Sequence, residues 1–159
     1  MAIRGKAVRS AARLLLFLLF FHAACALPIE QVFPRFYADR SVQSVREFLG
    51  FGPGQGFRTV TATRPDHPEG WYFVVKLDRK WPPQVATARL TVFRNDSLEE
   101  AVHEWDLRNL PPRRILYLGI TGNDWPEGDS VRPLAWNLQI RDGDGRLLAD
   151  WQSFLWSQP

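Results

Sequence analysis

Few residues in this chain have the types and spacing for chemistry. The densest group is Asp142-Gly143-Asp144-Gly145, with an acid at every second position. A calcium loop of the EF-hand kind sets oxygen ligands at its first, third and fifth positions, glycine at the sixth and a carboxylate at the twelfth. Counted from Asp142, the fifth position is Arg146, the sixth Leu147 and the twelfth Ser153. A guanidinium at the fifth position puts positive charge where the cation would sit. Asp-Gly between two alternating apolar runs instead marks a hairpin, because glycine accepts positive φ freely. The sequence predicts a turn here and no metal ligand.

The other routes to catalysis are thin. Histidines remain only at His67, in the turn sequence RPDHPEG, and at His103, on the inward register of an alternating run; His22 lies in a leader segment. Zinc needs three or four ligands at suitable spacing, and there is no His-x-His or Cys pair. A Ser-His triad is arithmetically available, but no serine sits in a Gly-x-Ser-x-Gly elbow. Paired carboxylates of the glycosidase kind have candidates in Glu99-Glu100, Glu104 with Asp106, and Asp124, Glu127 and Asp129. Acids on strand exteriors and loops ordinarily serve as solvated surface. The stretch FGPGQG has no following Lys-Ser/Thr and precedes a strand, so it is no phosphate loop. No catalytic residue, metal or cofactor is expected.

Tryptophan placement is more suggestive. Trp71, Trp105, Trp136 and Trp151 fall on inward registers and read as core. Trp81 (RKWPPQ) and Trp125 (NDWPEG) lie in proline-containing loops. Such an indole, with Asn123, Asp124 and Glu127 beside Trp125, matches a sugar-stacking platform whose polar neighbours bond hydroxyls. The simpler alternative is that both rings fold back to cap the core, since large aromatic side chains are mostly buried. Phe154 and Trp156 form a candidate partner-docking patch if their face is uncovered. Asn95-Asp96-Ser97 matches a glycosylation sequon, a short pattern with many false matches.

These residues must be positioned by strands. From Phe57 onward the apolar period is two: FRTVTATRP (57–65), WYFVVKLD (71–78), ATARLTVFR (86–94), AVHEWDLR (101–108), RILYLGI (114–120), LAWNLQI (134–140) and RLLADWQSFLW (146–156). RILYLGI is apolar nearly throughout and reads as a central strand covered on both faces. LAWNLQI sets Leu134, Trp136, Leu138 and Ile140 inward. The final run puts Leu147, Ala149, Trp151 and Leu155 on one face but Phe154 and Trp156 on the other, so it contains a bulge or is covered twice. Prolines cluster between the runs, where a missing N–H harms no ladder. Ahead of them, residues 27–40 read as an extended lead-in. Val42, Val45, Phe48 and Leu49 then fall at helical spacing after Ser41, and the helix stops at Gly50 before the Gly-Pro-Gly of 52–54.

The beginning of the chain has a different character. Arg4, Lys6, Arg9 and Arg13 precede the apolar run Leu14–Phe21, and Ala24-Cys25-Ala26 supplies small residues for cleavage. Residues 1–26 thus read as a signal peptide, since a spanning helix needs about 20 apolar residues. A signal anchor, or lipid on Cys25, is the tethered alternative. Four of the 20 basic residues lie in this segment, which leaves 16 against 17 acidic ones. A near-neutral mature chain lacks the positive footprint that nucleic acid requires. Cys25 is the single cysteine, so the rest of the chain must be held by its core.

The expectation is therefore an all-β protein: a single antiparallel β-sandwich at residues 57–159, after a lead-in, short helix and Gly-rich turn at 27–56. In strand count and spacing it resembles immunoglobulin-like and fibronectin-type domains of exported proteins, without the inter-sheet cysteine pair. The expected role is a non-enzymatic interaction module, periplasmic or extracellular, with an unknown protein or glycan partner. A carbohydrate-binding module using Trp81 or Trp125 is the alternative, and a hydrolase the third reading.

Overall fold

The computed structural model describes residues 27, 29–38, 58–126 and 128–157. The expected signal peptide, the helix near Ser41–Leu49, the Gly-Pro-Gly turn and the side chain of Glu127 lie outside these residues.

The chain is mostly β. Its strands are β1 (Ile29–Tyr37), β2 (Arg58–Ala62), β3 (Gly70–Leu77), β4 (Val85–Arg94), β5 (Glu100–Asp106), β6 (Ile115–Thr121), β7 (Pro133–Asp142) and β8 (Leu147–Gln152). They form two four-stranded sheets, ordered β1-β3-β6-β2 and β5-β4-β7-β8. The second is antiparallel throughout. The first departs from the all-antiparallel expectation, because β2 runs parallel to β6. Short 3-10 turns follow β6 (Gly122–Asp124) and β8 (Phe154–Ser157).

The two-residue period explains how the sheets meet. Phe73 and Val75 of β3 and Leu116, Leu118 and Ile120 of β6 point toward Ala88, Leu90 and Val92 of β4 and Leu138 of β7, all fully buried. Phe73 meets Trp136 edge-to-face across the interface, with centroids 5.5 Å apart. Such a pair adds about 0.5–1.5 kcal/mol beyond its area. One side of the assembly is closed by backbone, where the Leu27 N–H donates to the Leu148 carbonyl at 2.9 Å.

Four expectations are corrected. Residues 29–37 are a paired edge strand rather than a lead-in. Pro34 sits within it, tolerable because β1 has a neighbour on one side only among the described strands. Leu134, expected inward, is 51% exposed, because the β4–β7 register shifts between Phe93 and Arg94. Leu147, also expected inward, is exposed at 41%, while Leu148 is in the core. The register of β8 jumps from Ala149 to Leu147 opposite Ile140 and Arg141, and this bulge turns Leu148 inward. The fourth concerns the last run: its mixed faces also reflect a strand that ends at Gln152, beyond which Phe154–Ser157 coils as a 3-10 turn.

Candidate functional site

At one end of the first sheet, the β2–β3 loop and the β6–β7 loop meet. Thr121, the last residue of β6 and fully buried, locks them. Its hydroxyl donates to the Arg64 carbonyl at 2.9 Å and accepts the Arg64 N–H at 3.0 Å. Thr63 Oγ1 in turn accepts the Thr121 N–H at 3.1 Å, and the Gly122 N–H donates to the Glu69 carbonyl at 3.2 Å. Gly122 has φ of +58°, and a Cβ there would lie 3.0 Å from His67 Cβ and 3.3 Å from Arg64 Cβ. Only glycine accepts both that backbone and that approach without strain.

Between the two loops lies an open cleft of about 410 Å³. Asp66, His67 and Glu69 stand on one wall, Asn123 and Gly128 on the other, and Trp125 borders it. Trp125 itself is 2% exposed. Its indole Nε1 donates to the Val131 carbonyl at 3.1 Å, and the Trp71 Nε1 reaches the same oxygen at 2.9 Å and that of Gly128 at 3.2 Å. Two indoles thus clamp the 128–131 turn from beneath. The Arg94 guanidinium lies 5.4 Å from the Trp125 ring centroid.

The expected site residues fare differently. Trp81 is 5% exposed and belongs to the core cluster, away from this cleft. Neither Trp81 nor Trp125 presents an open indole face; both cap the core. Asn123 is exposed and lines the cleft. Asp124 is turned toward Arg64, its Oδ2 3.3 Å from Nε. Phe154 is strongly exposed, whereas Trp156 is half-buried against Phe93, with centroids 5.6 Å apart. Asp66, His67 and Glu69 were missed as a set. Their turn reads as surface in sequence, and only the pairing of β3 with β6 brings it against Asn123.

The remaining candidate chemistry is dispersed. Asp106 is tied to Arg108 on the surface, and that bidentate pair holds its carboxyl down at about 2. His103 faces inward on β5. Burial lowers its pKa, opposed in part by the charge of Asp124. Its Nε2, like the Trp105 Nε1, is buried with no hydrogen-bond partner among the described residues. Among the described residues, no group of three or more His, Cys, Asp or Glu side chains converges on one point.

The 142–145 loop is the β7–β8 hairpin. The Asp142 N–H donates to the Arg146 carbonyl at 3.0 Å and the Gly145 N–H to the Asp142 carbonyl at 3.1 Å, with Gly145 at φ +79°. The Asp142 carboxylate accepts the N–H groups of Asp144 and Arg146 at 3.0 and 2.8 Å.

Comparison with family models, curated proteins and solved structures returns no match, so the function rests on geometry alone.

Proposed function

We propose that this chain is a non-enzymatic, exported interaction module, built as a β-sandwich of immunoglobulin-like general architecture, that engages its partner at the cleft between residues 66–69 and 122–128. One observation carries this. Asp66, His67, Glu69 and Asn123 line the cleft, and none of their side chains is engaged with another described residue. Their donors and acceptors are unspent, while the backbone beneath them is locked through Thr121. A site held rigid before its ligand arrives loses less entropy on binding.

A second reading, a carbohydrate-binding module, is favoured by the mixture of groups. Carboxylates and an amide on facing walls suit a ligand that presents both hydroxyl hydrogens and oxygens. In this version Trp125 supports the cleft from below rather than stacking on a sugar ring. A hydrolase is disfavoured because His67 has no orienting partner among the described residues, the arrangement a general base ordinarily uses.

The experiment is a binding screen of the purified mature chain, by glycan array and by capture with candidate envelope proteins. Asp66→Ala and Asn123→Ala follow on any hit. Both residues are exposed, so loss of binding in a variant that melts like the parent supports the cleft. Retention of full affinity in both variants overturns it. Trp125→Ala is the wrong probe, because removing a buried indole costs about 3–5 kcal/mol in itself.

A further inference from the structure

Among the described strands each sheet has two edges, and three of the four are blunted. β1 carries Pro34, which has no N–H to offer a neighbour. β2 is only five residues long. β8 bends at its bulge, and its Leu148 carbonyl already accepts the Leu27 N–H. β5 has none of these devices. It runs for seven residues against β4 without a register shift. An edge of this kind is a template for a further strand.

The direction of its backbone groups follows from the register. Just beyond the strand, the Leu107 N–H donates to the Ala86 carbonyl at 2.7 Å, and β5 pairs Trp105 with Ala88, His103 with Leu90 and Ala101 with Val92. Hydrogen-bonded pairs alternate along an antiparallel ladder, so the N–H and C=O groups of Ala101, His103 and Trp105 point toward β4. Those of Glu100, Val102, Glu104 and Asp106 point the other way, where no described strand lies. Glu100, Glu104 and Asp106 are also exposed on the solvent side of the sheet, and Val102 between them is 45% exposed.

The side chains define what an added strand must carry. Asp106 is spent on Arg108, whereas Glu100 and Glu104 are in no ion pair with a described residue. Arg89 stands opposite Glu104, but on the β4 side, away from the edge. Two carboxylates thus flank Val102. Self-pairing about Val102 would set Glu100 of one copy opposite Glu104 of the other, and like charges directly opposed destabilise a sheet. The inner side of this edge is polar as well. His103 Nε2 and Trp105 Nε1, both on β5, are the buried side-chain atoms without a hydrogen-bond partner among the described residues. A polar side chain pointing inward from an added strand would stand beside them.

We infer that the free edge of β5 accepts an extended basic segment of a partner protein by strand addition. Lysine or arginine lies opposite Glu100 and Glu104, an apolar residue opposite Val102, and small polar residues turn inward. Main-chain bonds supply affinity and the alternating side chains supply selectivity. No β5 residue lines the cleft between residues 66–69 and 122–128, so this surface is distinct from it and is tested separately.

The test titrates the whole chain into a fluorescein-labelled peptide, Thr-Lys-Thr-Val-Thr-Lys-Thr, and reads fluorescence anisotropy. Saturable binding is expected, with slower amide exchange at Val102 and Glu104. Val102→Pro removes an N–H that β4 does not use, so it should weaken binding at least tenfold with the fold intact. Glu100→Lys combined with Glu104→Lys should lose this peptide and gain its counterpart with glutamates for lysines. No binding by the parent at millimolar concentration, equal binding by Val102→Pro, or no switch of preference in the charge-reversed protein overturns the inference. So does a parent that sediments as a dimer and becomes monomeric in Val102→Pro, because the edge then takes a second copy. If Val102→Pro does not melt cooperatively, the charge reversal and the amide exchange decide.

Discussion

Tyr72 lies across Gly119 so closely that a Cβ on Gly119 would stand 2.5 Å from the tyrosine Cε1. The ring has no room to withdraw. Its hydroxyl donates to the Pro68 carbonyl at 2.8 Å, and its edge meets Tyr37 at a centroid distance of 5.5 Å. The burial that fixes it also pushes the phenol pKa up to about 12. Gly119→Ala must therefore move a pinned ring or a central strand, at a cost of about 1–3 kcal/mol. Urea denaturation measures it. In a Tyr72→Ala background the same substitution should cost less, with a coupling of about 0.5 kcal/mol or more; simple additivity would show that the strain lies elsewhere.

Thr121 joins the candidate site to the core. Thr121→Val keeps the shape but removes the acceptor of the Arg64 N–H and one of the two donors to the Arg64 carbonyl, which keeps the His67 N–H at 3.0 Å. Unsatisfied buried backbone groups cost about 1–3 kcal/mol. The expected outcome is a stability loss of that size and faster hydrogen exchange at the Arg64 amide. Ligand affinity at the cleft should fall with it, because Asp66, His67 and Glu69 ride on the loop that Thr121 holds. An unchanged Arg64 exchange rate would mean that the loop is held by other contacts.

The strands were legible where period and burial coincide. WYFVVKLD, ATARLTVFR and RILYLGI are β3, β4 and β6 to within a residue or two, because each sets one register against the facing sheet. β1 was not legible, since IEQVFPRFY mixes apolar residues on both registers and carries Pro34, which argues against a strand unless one edge is free. The parallel β2–β6 pair was illegible for another reason. Alternation tells which face is buried and nothing about which strand lies alongside. The same limit hid the cleft: Asn123 was singled out beside Trp125, but Asp66 and Glu69 are more than 50 residues earlier and meet it only through the β3–β6 ladder. Proline-rich loops marked Trp81 and Trp125 as unusual, yet loop position does not say whether an indole turns outward, and both turn in.

His103 makes stability depend on pH. Burial holds the folded imidazole below its ordinary value of 6.5. Between the two values the unfolded chain binds the proton and the folded chain does not, so protonation favours unfolding. Its contribution is complete above about pH 6.5 and is lost progressively as pH falls below that, against the weak opposing pull of Asp124. Urea melts at pH 7.5 and pH 5.5 should show the parent weakened at the lower pH. His103→Gln, which cannot titrate, should show a smaller difference. An equal difference in both proteins would assign the pH dependence to carboxylates instead.

The acids of the 142–145 loop answer to the hairpin and not to a cation. Both backbone N–H groups that the Asp142 carboxylate accepts lie within its own turn, and the Arg141 Nη1 donates to the Gly145 carbonyl at 2.9 Å. A carboxylate engaged by two donors, with guanidinium groups on either flank, is a poor first ligand for calcium. Asp142→Ala should therefore cost about 0.5–1.5 kcal/mol, the net worth of lost hydrogen bonds at an exposed turn. Asp142→Asn, which keeps one acceptor oxygen, should recover most of it. The melting temperature of the parent should be the same in millimolar calcium and in chelator. A calcium-dependent rise that disappears in Asp142→Asn would make the turn a metal loop after all.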